Sequence, residues 1–143
     1  MDDDAALSGS ISVLVCDDVE AIRILLSRVV ELGPGLRVVG EAANGEEAIA
    51  EAKRLQPDVI LLDLSMPIKT GLDALPEIKV VAPNAKVIVM SGFAATTLVA
   101  ADVLAHGADS YLEKGVHPDV ITTTIALVMS GESNRKPRAA LER

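Results

Sequence analysis

Five short apolar runs rich in β-branched residues, each followed by a longer amphipathic stretch, limit this chain to few folds. The runs are ISVLVC (11–16), a segment centred on 37–41 within LRVVGEA, DVILLD (58–63), KVIVMS (86–91) and ADSYLE (108–113). Helical patterns follow them at about 18–32, 45–55, 71–80, 95–106 and 118–129. Strands that are apolar along their whole length must be covered on both faces, and strands that alternate with helices pair in parallel. The expectation is an α/β fold, a (βα)5 doubly wound layout around a parallel five-stranded sheet.

Punctuation falls where this alternation needs it. Gly33-Pro34-Gly35 stops the first helix, Asn44 is placed to cap the second, Pro57 precedes the third strand, and Pro118 suits the first turn of the last helix. With 143 residues and 50% hydrophobic content the chain suffices for one well-packed domain. Phe93 and Tyr111 are its only aromatic residues, so neither base stacking nor an aromatic cage is central to what it does. The net charge of −8 opposes binding to a polyanion by this chain alone. Cys16 is the single cysteine, which excludes an intrachain disulfide and a multi-cysteine zinc site, and its place in an apolar run makes it a buried thiol. The acidic start MDDDAALSGS is unlike a signal peptide, and no apolar stretch reaches membrane-spanning length. A soluble, cytoplasmic protein is expected.

Ligands of such sheets bind outside the carboxyl ends of the strands. The residues collected there are Asp17 and Asp18 after the first strand, Asp63 at the end of the third, Ser91 at the end of the fourth and Lys114 after the fifth. Three carboxylates repel one another as a bare cluster but suit a small divalent cation such as Mg2+, which takes one or two carboxylates and keeps waters. With a cation offsetting the repulsion, Asp63 is a candidate nucleophile for phosphoryl transfer, Lys114 adds a second positive charge, and Ser91 is a donor for a phosphoryl oxygen. Taken singly, each has a plainer explanation: Asp17 and Asp18 as a solvated loop, Asp63 as a turn acid, Lys114 as a surface lysine, and Ser91-Gly92 as a turn. Their joint placement favours the site.

Asp17-Asp18, the segment DLSMPIKTG from Asp63 to Gly71, the strand-end Ser91, and Tyr111 three residues before Lys114 together resemble the response-regulator receiver domain of bacterial two-component signalling. The resemblance spans roughly residues 11–130. It implies a flavodoxin-like sheet of order 2-1-3-4-5, with Asp63 accepting a phosphoryl group from a phosphohistidine on a sensor kinase or phosphotransfer protein. It further implies that Asp18, Asp63 and the backbone carbonyl of Ser65 ligate Mg2+ directly, with Asp17 acting through a water. Lys114 would pair with the phosphoryl group, Ser91 would move toward it, and Tyr111 would turn inward. The output would be a changed surface on the fourth helix, fifth strand and fifth helix, which could serve a phosphorylation-dependent homodimer. Only slow self-catalysed phosphoryl transfer and hydrolysis are implied, so the chain is primarily a signalling protein.

Lys114-Gly115 stands where many receivers have lysine-proline, a pattern similar to receivers that carry a LuxR-type helix-turn-helix output. The chain is therefore read as a stand-alone receiver or an output-less part of a DNA-binding regulator. The resemblance implies that Ser65 and Phe93 occupy the two variable positions linked in the family to the rate of dephosphorylation, and Phe93 is expected to lean over the site. An aspartyl-phosphate hydrolase of the haloacid-dehalogenase type wants a second Asp where this chain has Ser65. A nucleotide- or flavin-binding module wants a glycine-rich loop where this chain has Asp17-Asp18.

The first helix shows a core stripe at Ile22, Leu25, Leu26 and Val29, with Glu20, Arg23, Ile24 and Ser27 on another face as the kinase landing site. Taken alone, Tyr111 reads as a half-buried strand residue with a wet hydroxyl. His106 and His117 lie at helix ends, where capping explains them. Residues 1–10 read as a disordered acidic tail, 11–130 as the domain, and 131–143 as a polar tail or linker whose Arg135, Lys136, Arg138 and Arg143 are too few to bind DNA.

Overall fold

The computed structural model describes residues 10–92 and 97–131. Both expected tails, apart from residues 10 and 131, and the position of Phe93 therefore lie outside the described residues. The strands are β1 (Ile11–Cys16), β2 (Leu36–Ala42), β3 (Val59–Asp63), β4 (Lys86–Ser91) and β5 (Ser110–Glu113). The helices are α1 (Glu20–Leu32), α2 (Gly45–Leu55), α3 (Gly71–Val81), α4 (Thr97–Ala105) and α5 (Pro118–Met129). All strand pairs are parallel, in the order β2-β1-β3-β4-β5. This is the expected doubly wound sheet.

Side-chain alternation along the strands sorts the core into two layers. Val13, Val15, Val59, Leu61, Ile88, Met90 and Leu112 face α1 and α5, where Leu26, Val29, Val30, Ile121, Ile125 and Val128 close the layer. The intervening Leu14, Cys16, Ile60, Leu62, Val87 and Val89 face α2, α3 and α4, packing on Ala48, Ala52, Ala74, Leu75, Ile78, Val103 and Leu104. Burial on both faces explains why the central strands read as continuous apolar runs.

Leu25 is a correction to the expected stripe on α1. It is 57% exposed, and Val30 is buried instead. The helical period fixes the spacing of a stripe, but the neighbours decide which edge is covered, and here α1 rolls toward β2 and α5 so that Leu26, Val29 and Val30 point inward.

The ends of the elements follow local chemistry. Asn44 Oδ1 accepts from Glu47 N at 2.9 Å, and Glu47 Oε1 accepts in return from Ala43 N, so the two side chains cap the start of α2 reciprocally. His117 Nδ1 accepts from Asp119 N at the start of α5. β5 begins at Ser110, later than the sequence implies. Asp109 Oδ2 accepts from Val87 N and Lys79 Nζ, which holds that residue in the connection before β5.

Candidate functional site

The register of the sheet brings the acids together. Cys16 pairs with Leu62, so the next residues, Asp17 and Asp63, emerge side by side at the carboxyl edge of β1 and β3. Asp63 in turn pairs with Met90, and Ser91 with Glu113, which puts Ser91 and Lys114 on the same edge. Lys114 N donates to Ser91 O at 2.8 Å, extending the ladder by one bond.

Asp17, Asp18 and Asp63 each offer a carboxylate oxygen within 4.8 Å of the others. Asp17 and Asp63 are buried and Asp18 is exposed. Lys114 Nζ lies 2.6 Å from Asp17 Oδ2 and 3.2 Å from Asp63 Oδ2. The Asp17 contact is a close ion pair. Asp63 Oδ1 accepts from Ser65 N at 3.3 Å. Burial and the neighbouring Asp17 charge hold the Asp63 carboxyl above its ordinary range, outweighing the Lys114 ammonium and the Ser65 N–H. Burial acts to lower the Lys114 pKa, but the contacts with Asp17 and Asp63 outweigh it, and the ammonium is held above its ordinary range. One lysine is thus shared by two buried acids, and among the described residues the third acid has none. This is a set of hard oxygen donors with more negative charge than the protein neutralises, which fits a small divalent cation.

Asp17 is fixed at every polar group. Its N–H donates to Ala42 O at 3.0 Å, its carbonyl accepts from Arg23 Nη1 at 2.8 Å, and its Oδ1 accepts from Val19 N at 2.9 Å. The last contact turns the chain back on itself at Asp18 and Val19, so α1 starts at Glu20 and not at 18. Asp63 is fixed by its neighbours in the chain. Leu64 N donates to Met90 O, Gly71 N donates to Leu64 O, and a Cβ at Gly71 would overlap the Asp63 carbonyl oxygen. Only glycine allows α3 to begin this close to the strand end. The loop between them leans on α2, where Gly45 N donates to Lys69 O at 2.8 Å. Lys69 Nζ then bridges Glu77 at 2.5 Å and Glu46 at 3.6 Å.

The four residues expected to dock a kinase do not share one exposed face. Glu20 and Ile24 are exposed, whereas Arg23 is turned inward to Asp17 and Glu41, and the Ser27 hydroxyl is buried with no hydrogen-bond partner among the described residues. Tyr111 is half-buried as expected, but its hydroxyl is not wet: it is buried and has no hydrogen-bond partner among the described residues. Cys16 is buried, and burial pushes its thiol well up, so it stays protonated beneath the site. The fixing roles of Arg23 and Gly45 were not read from the sequence, and of Gly71 only its place at the opening of the third helix was, as the resemblance implies. The signal for the glycines was their place just before or at a helix start. For Arg23 it was a cation in the first turns of the helix after two acids.

The family model for the response regulator receiver domain matches residues 13–126, and the chain belongs to that family. Receiver domains are the phosphorylation-controlled switches of two-component signalling. They interact with histidine kinases or phosphotransfer proteins and bind Mg2+ at an acidic pocket. The chain is 34% identical over 121 residues to the transcriptional regulatory protein LnrK of Bacillus subtilis, covering 85% of this chain and 54% of LnrK, so it spans about half of that relative. It is 35% identical over 113 residues to the chemotaxis protein CheY of Thermotoga maritima, covering 79% of this chain and 92% of CheY. Among solved structures, a two-component response regulator of the LuxR family from Aurantimonas superposes with a TM-score of 0.84 at 26% identity, covering 93% of this chain and 94% of the other. Among the described residues, no helix is long and apolar enough to cross a membrane.

Proposed function

We propose that Asp63 is the phosphoacceptor of this receiver, that Asp17, Asp18 and the Ser65 carbonyl complete a Mg2+ site with it, and that Lys114 and Ser91 bind the phosphoryl group. The observation that carries the reading is the shared lysine, placed between the two buried acids Asp17 and Asp63 at the end of adjacent strands. When bound, the cation would neutralise charge on the carboxylates and on the incoming phosphoryl oxygens.

A carboxylate oxygen of Asp63 attacks phosphorus as the P–N bond of the donor phosphohistidine breaks, and the imidazole leaves with the electron pair. The Lys114 ammonium, held charged by its two acids, is within reach of the new acyl phosphate. Burial of Asp63 limits water at the same centre. Ser91 and Tyr111 are the proposed switch residues, reporting to the surface of α4, β5 and α5, where a phosphorylation-dependent homodimer would form. Glu20 and Ile24 are the exposed part of the proposed kinase contact. The proposed domain runs over 11–130, and DNA binding is not part of its own function.

Incubation with acetyl phosphate and Mg2+, followed by intact-mass measurement, tests the assignment. One added phosphoryl group is expected, absent in Asp63→Asn and absent with a chelator. Labelling of the Asp63→Asn variant at the wild-type rate would overturn it.

A further inference from the structure

We propose that Arg23 is a positioning residue for the acidic loop, fixing the peptide from which Asp18 projects. The inference rests on the reading of Asp17, Asp18 and Asp63 as a Mg2+ site.

Arg23 Nη1 donates to the Asp17 carbonyl at 2.8 Å, and Arg23 Nε pairs with Glu41 Oε1 at 2.9 Å. The Arg23 side chain is only 16% exposed, so this is not a surface cation that happens to lie near an acid. The Asp17 carbonyl and the Asp18 nitrogen belong to one planar peptide. Anchoring that carbonyl sets the plane on one side of Asp18, and the Val19 N–H held by Asp17 Oδ1 restrains the other, so together they limit the directions in which the Asp18 side chain can leave the backbone. Asp18 is the exposed acid of the three and, among the described residues, has no ion-pair partner comparable with Lys114 for the other two.

The end of β2 supplies both halves of the grip. The Ala42 carbonyl accepts the Asp17 N–H, and its neighbour Glu41 holds the guanidinium that reaches the Asp17 carbonyl. The chain of contacts closes on itself from Asp17 through Ala42, Glu41 and Arg23 back to Asp17. The geometry calls for arginine, because one planar group must meet a carboxylate through Nε and a carbonyl through Nη1 in fixed directions. Outer partners of this kind orient metal ligands without touching the metal, and their loss weakens metal affinity by about 10–100-fold.

The test compares Arg23→Gln, Glu41→Ala and Glu41→Gln in the full chain, with two readouts. Calorimetric titration with Mg2+ should show a Kd raised about tenfold in Arg23→Gln and about threefold in Glu41→Ala, with Glu41→Gln close to wild type because it keeps an acceptor for Nε. The double variant Arg23→Gln/Glu41→Ala should be no weaker than Arg23→Gln alone, since both act through one chain of contacts. In chelator, amide exchange at Val19, whose N–H is held by Asp17 Oδ1, should be about tenfold faster in Arg23→Gln than in wild type while β3 and β4 keep their protection. Wild-type Mg2+ affinity together with wild-type exchange in folded Arg23→Gln or Glu41→Ala would overturn the proposal. Should wild type itself fail to bind Mg2+, the metal reading falls, and the exchange rates alone decide whether Arg23 holds the loop.

Discussion

Lys114 lies closer to Asp17 than to Asp63, with Nζ 2.6 Å from the first carboxylate and 3.2 Å from the second. In the chain without metal the lysine is thus the main counter-ion of the β1 acid, and it occupies the same negative charge that a cation would use. Replacing it with the uncharged Lys114→Met leaves two buried carboxylates unpaired. The metal-free variant should lose about 1–3 kcal/mol of stability, somewhat less than the cost of breaking a fully buried pair because the lysine is partly exposed. Its affinity for Mg2+ should rise at least about twofold, since no lysine competes. Thermal unfolding across a Mg2+ series checks both at once, because the stabilisation per decade of Mg2+ starts at lower concentration in the variant. An unchanged Mg2+ midpoint would mean that lysine and metal do not share Asp17.

Asp63 gives the sign of a pH effect. Burial and Asp17 hold its carboxyl above the ordinary range in the folded chain, so the folded state favours the protonated form. A group of this kind supports folding below its unfolded pKa, and that support is lost as pH rises through the folded pKa. At neutral pH, in chelator, the ionised Asp63 therefore costs stability. Asp63→Asn should melt above wild type at pH 7, and the gap should close in acid below about pH 4, the ordinary range of an unfolded aspartate. Melting curves over that pH range decide it, and a variant that melts below wild type at pH 7 would show that the Lys114 contact outweighs burial.

The parallel sheet and the convergence of Asp17, Asp18, Asp63, Ser91 and Lys114 on its carboxyl edge were legible from spacing, whereas the strand order came from the resemblance to receiver domains. Acids at the ends of β1 and β3 and a lysine after β5 come to one edge because all the strands are parallel, and the long lysine side chain reaches back past β4 to them. What did not follow from spacing was direction. Leu25 sits on the helical period of Ile22, Leu26 and Val29, yet it is left 57% exposed. Arg23 sits on the same turn as exposed Ile24 but finds the Asp17 carbonyl and Glu41, partners that belong to another strand and a loop. The hydroxyl of Tyr111 is buried for the same reason, since what lies over the end of β5 is set by packing against α4 and not by the strand itself.

Gly71 is the most constrained backbone position near the site. A methyl group there would meet the Asp63 carbonyl oxygen and the Leu64 backbone, neither of which has a side-chain rotamer to yield. Gly71→Ala should cost about 1–3 kcal/mol, as overpacking does in a tight core, and should slow acetyl-phosphate labelling because Asp63 must shift to make room. Denaturant unfolding and the labelling rate check the two effects. A stable variant labelled at the wild-type rate would place the close approach elsewhere.

Ile68 is strained in the opposite sense, with open space and a poor backbone. Its φ is 69°, in the left-handed region that a β-branched residue seldom adopts, and its side chain is 80% exposed, so little packing offsets the cost. Ile68→Asn should stabilise the chain by about 0.5–1 kcal/mol, since asparagine tolerates this conformation and loses no burial. Equilibrium unfolding measures it. A loss of stability would mean that the isoleucine packs on the loop in solution more than its exposure indicates.

Tyr111 completes the set, because its buried hydroxyl has no hydrogen-bond partner among the described residues. The ring packs on the layer that faces α2, α3 and α4, where an unpaired O–H carries its desolvation cost without return. Tyr111→Phe removes one oxygen and keeps the ring, so it should stabilise the unphosphorylated chain by about 0.5–1.5 kcal/mol. If Tyr111 also switches with the state of Asp63, the same change should reduce the difference in stability between phosphorylated and unphosphorylated chain, because the variant has no hydroxyl to pair in either state. Thermal unfolding of wild type and Tyr111→Phe, each with and without the phosphoryl mimic beryllofluoride and Mg2+, gives all four values. A variant less stable than wild type by more than about 1 kcal/mol would show that the hydroxyl is bonded, through water if not directly, before any phosphoryl group arrives.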